Sequence, residues 1–357
     1  MRGQLRRLSG ANFFGKKGLT IAHPALLYNN ELIPAHSETV SAGNQQEGWT
    51  MYYTGFADEA SSSMAGQIAA TKELGWQFIE ARAVDGTNIH DISDEAFDKV
   101  VEQLDAAGIR INCFGSAVAN WGWDPMSDED FEKTTAQLRR ALVRMKRVNC
   151  TMLRGMSFKA TWDRPAFDPA VEEQVFRKVN VLVRMCEEVG VLYLHENCNN
   201  YGGMSWKHTL KLLDHVKSPN FKLVFDTGNP VMNFDRSNGD ELVHCQNSWE
   251  FYQHVREFIY YVHIKDGVFQ GRNENGGFHR AHFTFPGEGE GDVMKIVIDL
   301  LRHGYDGGFS MEPHMKVVFH DADAKSEDAA RIANYVEYGR RFMRLVESAR
   351  ESLGQNK

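Results

Sequence analysis

Four short stretches end apolar runs in groups that titrate or bind metals. They are HEN at 195–197, FDTGN at 225–229, VHIKD at 262–266 and MEPH at 311–314. A charge that directly follows buried residues is costly unless it is paired. Glu196, Asp226, His263 and Glu312 together offer three carboxylates and one imidazole. That donor set suits Mn²⁺, Mg²⁺, Co²⁺ or Zn²⁺, leaves positions open for substrate oxygens, and needs no thiolate. A single strand-end Glu is more often half of a structural ion pair. Four such residues on successive apolar runs point instead to one shared cation, because converging carboxylates repel unless protons or a metal neutralise them.

Positioning them requires a repeated element, and the chain has one. From Tyr52 onward a short apolar run ends in polar residues and a helical pattern follows. The runs are YTGFAD, WQFIEARA, IRINCFGS, TMLRGMS, VLYLHEN, KLVFDTGN, YYVHIKD and GFSMEPH, eight in all. Ser127 with Asp130 three residues on marks a helix start, as does Asp168 before Pro169. Gly75, Gly108, Gly190 and Gly304 mark helix ends just before the next strand. Eight strand–helix units predict an α/β fold, a parallel sheet closed into a (β/α)8 TIM barrel over 51–357. No GxGxxG follows the first run, which argues against an open doubly wound sheet. Residues 1–50 lack sustained periodicity and read as an N-terminal extension.

Composition narrows the function. The net charge is −8 and no basic stripe runs through the barrel region, against a nucleic-acid partner. No apolar run reaches the roughly 20 residues of a membrane helix. Five cysteines without CxxC spacing suit free thiols in a reducing cytoplasm. The barrel class places its active site at the C-terminal strand ends, where Glu80, Arg82, Arg154, His195, Asn229 and Lys265 also fall.

The motifs HEN, FDTGN, VHIKD and MEPH, in this order and at these separations, resemble the xylose isomerase-like barrel superfamily of sugar isomerases and epimerases. The resemblance covers residues 52 to 347, and PGEGEGD at 286–292 is similar to that family's glycine-rich loop. It implies a single divalent metal, Mn²⁺ before Mg²⁺, Co²⁺ or Zn²⁺, on Glu196, Asp226, His263 and Glu312. It implies Glu196 and Glu312 as the catalytic acid/base pair. Asn229 stands where ketose 3-epimerases usually carry His. The expected reaction is proton abstraction beside a sugar carbonyl through a metal-stabilised enediolate, giving isomerisation or epimerisation. The alternative is a lyase that cleaves an O- or C-glycoside of a 3-keto sugar by β-elimination. His195, Asn229, Lys265, Arg154 and Trp123 are the expected substrate-binding residues, with Trp121, Trp162 and Trp206 as further aromatic candidates. Lys265 has an equally weighted alternative, a salt bridge to Asp266 or Glu312. Arg82, Arg154 and Arg272 are candidates for gripping a phosphate, though no glycine loop at a helix start offers a phosphate nest and an unphosphorylated sugar or glycoside is expected; His279 and His282 are candidates for protonating a leaving group. The expected partner is a small sugar or glycoside, and the expected assembly a cytoplasmic homo-oligomer.

Overall fold

The computed structural model describes residues 51–242, 244–271, 281–315 and 327–354. The extension expected at 1–50 lies outside the described residues, as do Arg272 and His279. Eight strands form one sheet: β1 (Tyr52–Gly55), β2 (Phe78–Ala81), β3 (Arg110–Gly115), β4 (Met152–Gly155), β5 (Leu192–Glu196), β6 (Phe221–Asp226), β7 (Ile259–Ile264) and β8 (Gly308–Met311). Every neighbouring pair is parallel, in the order β1-β8-β7-β6-β5-β4-β3-β2. A parallel bridge between Phe56 and Glu80 closes the ring between β1 and β2. The expected (β/α)8 barrel is present; five strands fall within their predicted runs, and β1, β6 and β7 begin one residue earlier, at Tyr52, Phe221 and Ile259.

The helices start and stop where the local chemistry requires. Ser127 Oγ accepts from the Asp130 N–H at the head of Asp128–Arg147. The Asp168 side chain accepts from the Ala170 N–H at the head of Pro169–Glu187. Gly75, Gly108, Gly190 and Gly304 all have φ between +68° and +77°, a conformation that a Cβ disfavours.

Strand periodicity divides each strand into two faces. Phe225, Val262, Ile264, Phe309 and Met311 face outward and join the large apolar cluster between sheet and helices. Cys113, Met152, Leu194, Val224 and Tyr261 form a separate small cluster inside the barrel. Two residues further along the same inward faces come Arg154, Glu196, Asp226 and His263, all buried. The interior is thus apolar below and charged at the C-terminal mouth. Among the described residues, no helix is long and apolar enough to cross a membrane. Among the described residues, which include all five cysteines, there is no disulfide.

The glycine-rich loop has a structural cause. The Asp266 carboxylate, fully buried just beyond β7, accepts backbone N–H bonds from Gly267, Gly287, Gly289 and Gly291 at 2.8–3.1 Å. A Cβ on Gly289 would lie 2.3 Å from Asp266 Oδ1, so the loop wraps the carboxylate only because glycine stands there. Asp266 is therefore engaged by the loop, and Lys265 pairs elsewhere. Asp266→Ala removes the acceptor for four N–H groups at once, and the protein is predicted to lose about 3 kcal/mol or more in urea unfolding. A loss below about 1 kcal/mol would contradict this role for the loop.

Candidate metal and active site

Glu196, Asp226, His263 and Glu312 each bring one ligand-type atom to a common point, all within 4.8 Å of one another. The four side chains are at most 3% exposed. His263 Nδ1 stands 3.4 Å from Glu196 Oε1 and 3.3 Å from Glu312 Oε2. Each residue's other polar atom is anchored from behind. His263 Nε2 lies 3.0 Å from Glu80 Oε2, and that carboxylate also accepts from Tyr261 and Ser310 hydroxyls. Asp226 Oδ1 accepts from the Gly228 and Asn229 N–H groups. Arg154 Nη1 donates to Glu196 Oε2 at 2.9 Å. Glu312 Oε1 faces His314 Nε2 at 3.1 Å and Arg82 Nη1 at 3.5 Å.

The inward atoms are left differently. His263 Nδ1, Asp226 Oδ2 and Glu312 Oε2 are buried and have no hydrogen-bond partner among the described residues. Glu196 Oε1 accepts from Asn229 Nδ2, at 3.2 Å. Lys265 Nζ supplies charge at 3.0 Å from Asp226 Oδ2 and 3.3 Å from Glu312 Oε2. Three buried atoms without hydrogen bonds, aimed at one point by anchored side chains, have the donor chemistry of a divalent-cation site.

The electrostatics follow from burial and from these partners. Burial alone would push Glu196 up, but Arg154 outweighs it and holds the carboxyl at about 2. Burial likewise opposes Glu312, yet Lys265 and His314 hold it well below the usual carboxylate range. For Asp226 burial wins over Lys265 and pushes the carboxyl up to about 7. Burial disfavours the charged His263 ring, but the adjacent Glu80 carboxylate overcomes this and raises its pKa. The two glutamates are therefore ionised at neutral pH.

A cavity of about 600 Å³ opens above the cluster. Arg154, Glu196, Asn229, Lys265 and Glu312 line it. Two expected substrate-binding residues do not. His195 precedes inward-facing Glu196, so its side chain must leave by the opposite face. Its Nε2 meets Ser157 Oγ at 2.9 Å and Asn200 Oδ1 at 3.1 Å, in the layer outside the sheet. Trp123 folds back on its own loop, with Nε1 donating to the Ala117 carbonyl, and it is Trp121 that lines the cavity, nearly half exposed. Trp206 stacks on His254, Trp162 donates to Asn199, and His282 is exposed on the hairpin Gly267–Phe269/Ala281–Phe283. The sequence reading missed the anchoring roles of Glu80, Arg82, His314 and Glu59. Glu80 and Arg82 carried a signal, standing at a strand end. Glu59 carried none, because it sits in a short helical turn after β1.

Solved structures share this architecture. A D-tagatose 3-epimerase-like protein superposes with a TM-score of 0.62 at 15% identity, covering 85% of this chain and all of that one. A xylose isomerase-like TIM barrel protein from Mycobacterium smegmatis, solved in complex with magnesium, gives 0.59 at 17% identity, covering 85% and 98%. A D-allulose 3-epimerase from Methylomonas sp., solved in complex with D-allulose, gives 0.58 at 17% identity, covering 83% and 97%. Identities this low speak for the fold alone. The sequence itself goes further. It matches the model of the xylose isomerase-like TIM barrel over residues 68–335, most of its length, and the chain belongs to that family.

Proposed function

We propose that this protein is a divalent-cation-dependent enzyme that moves a proton at a carbon beside a sugar carbonyl, as a sugar isomerase or epimerase. The observation that carries the reading is the convergence of the four anchored ligand atoms of Glu196, Asp226, His263 and Glu312. Mn²⁺ is the proposed ion, on a set of three carboxylates and one imidazole. Bound there, the ion would withdraw charge from a carbonyl oxygen and make the neighbouring C–H more acidic.

The rest of the chemistry belongs to the chain. Glu196 reaches the cavity from β5 and Glu312 from beyond β8, so the two carboxylates flank a bound molecule from separate strands. One takes the proton from carbon, and the other, ionised at rest, returns one on the far side only after taking it from solvent, to which the first loses its own. Use of both gives epimerisation, and use of one with relocation gives isomerisation. Lys265 and Asn229 present an ammonium and an amide to substrate oxygens, and Arg154 holds Glu196 in place. Trp121 and Phe283 give the cavity an apolar wall for a sugar ring face. The fold shared with a D-allulose 3-epimerase supports a sugar as the substrate class.

Incubation with a panel of ketoses and 3-keto-glycosides in D₂O with Mn²⁺, followed by mass spectrometry and NMR on the ion-free products, tests this reading. Deuterium is expected at a carbon next to a carbonyl. Release of an aglycone would select the lyase reaction at the same site. Glu196→Gln and Glu312→Gln are each predicted to slow exchange at least ~100-fold. Full exchange in either variant would remove the two-carboxylate assignment. Glu80→Gln, which weakens the hold on the His263 ring, is predicted to lower Mn²⁺ affinity by about 10- to 100-fold in equilibrium dialysis. An unchanged affinity would show that Glu80 does not position the ligand.

A further inference from the structure

Glu312 differs from the other three residues of the cluster in how its outer atom is held. Asp226 is anchored by backbone N–H groups and Glu196 by Arg154. The outer oxygen of Glu312 instead meets an imidazole, His314, which is itself held by a second carboxylate. His314 Nδ1 lies 2.8 Å from Glu59 Oε1, and its backbone N–H donates to Glu59 Oε2 at 2.7 Å. Its Nε2 lies 3.1 Å from Glu312 Oε1. The two ring nitrogens thus point in opposite directions, each at a different carboxylate.

The backbone is bent to make this possible. His314 has φ +50°, in the left-handed region that a side chain with a Cβ enters at a cost. Strain of this kind at a cavity-lining residue persists only where the surroundings impose it. Glu59 imposes it by accepting from both the His314 backbone and ring. Arg82 locks the arrangement, with Nη2 on Glu59 at 3.1 Å, Nε on Asp58 at 2.8 Å and Nη1 toward Glu312. The end of β1 is thereby tied to the end of β8 at the cation-binding carboxylate.

We propose that Glu59 and His314 form a positioning pair that fixes Glu312 Oε1 and so turns Oε2 alone toward the cation site. Neither residue touches the ion. The proposal rests on the cation reading above and adds to it a specific source of affinity. It also assigns a purpose to the left-handed His314, which a solvated loop residue would not need.

Isothermal titration of the full-length chain with Mn²⁺ tests it. The variants are His314→Gly, Glu59→Gln, Glu312→Gln and the double variant His314→Gly/Glu312→Gln. Glycine tolerates the left-handed backbone, so His314→Gly removes the ring without adding backbone strain, and a cooperative thermal transition checks that the variant still folds. His314→Gly and Glu59→Gln are each expected to weaken Mn²⁺ binding by about 10- to 100-fold. In the Glu312→Gln background the His314 substitution is expected to add nothing, because the pair acts through that carboxylate. A merely structural role would leave the two effects additive. Unchanged affinity in His314→Gly, or additivity in the double variant, overturns the positioning pair while the cation reading stands. A second bound ion that disappears in His314→Gly also overturns it, by making His314 a ligand. A wild type that takes up no Mn²⁺ overturns the cation reading and the positioning proposal with it.

Discussion

Carboxylates driven together in a buried barrel mouth are the constraint on which the rest of this structure depends. Glu80, Glu196, Asp226 and Glu312 are at most 3% exposed, and Asp58 and Glu59 stand just behind. Against these six carboxylates the described residues set three permanent cations, Arg82, Arg154 and Lys265. Burial raises the cost of every unbalanced charge. Protonated His263 and His314 would narrow the deficit and not close it. Asp226, pushed up to about 7 by burial, shows where the shortage is felt. A divalent cation at the common point would remove it.

The fold serves this requirement through the parity of its strands. Inward positions alternate, so each strand that fills the barrel floor with Met152, Leu194, Val224 or Tyr261 delivers Arg154, Glu196, Asp226 or His263 two residues later. The same rule sends His195 out of the site. Beyond the strand ends, parity no longer controls direction, and specific clamps take over. The glycine loop gripping Asp266 fixes the chain just after Lys265, and Arg82 ties β1 and β2 to Glu312. Precise placement at a strand end therefore depends on loops that have little freedom.

Much of this was legible in the sequence because it is local. The eight strands, the cap residues Ser127 and Asp168, and the clustered residues Glu196, Asp226, His263 and Glu312 are each written in a few neighbouring residues. What was not legible is what depends on residues far apart in the chain. Glu59 and His314 are separated by 255 positions and meet only once the barrel closes. Trp121 and Trp123 are indistinguishable as sequence, since a loop turn decides which one lines the cavity. For Lys265 the sequence leaves open substrate binding or a salt bridge, and for the salt bridge either Asp266 or Glu312 as the partner. The structure resolves this by giving Asp266 to four backbone amides and turning Lys265 to Asp226 and Glu312.

The arrangement of the buried carboxylates calls for a cation at their common point. Crystals grown with Mn²⁺ and measured at the manganese absorption edge test it directly. One strong anomalous peak is expected, bounded by Glu196, Asp226, His263 and Glu312, with His263 bound through Nδ1. Crystals saturated with Mn²⁺ that show no peak there, and that keep the Lys265 ammonium between Asp226 and Glu312 as the neutralising charge, would contradict it.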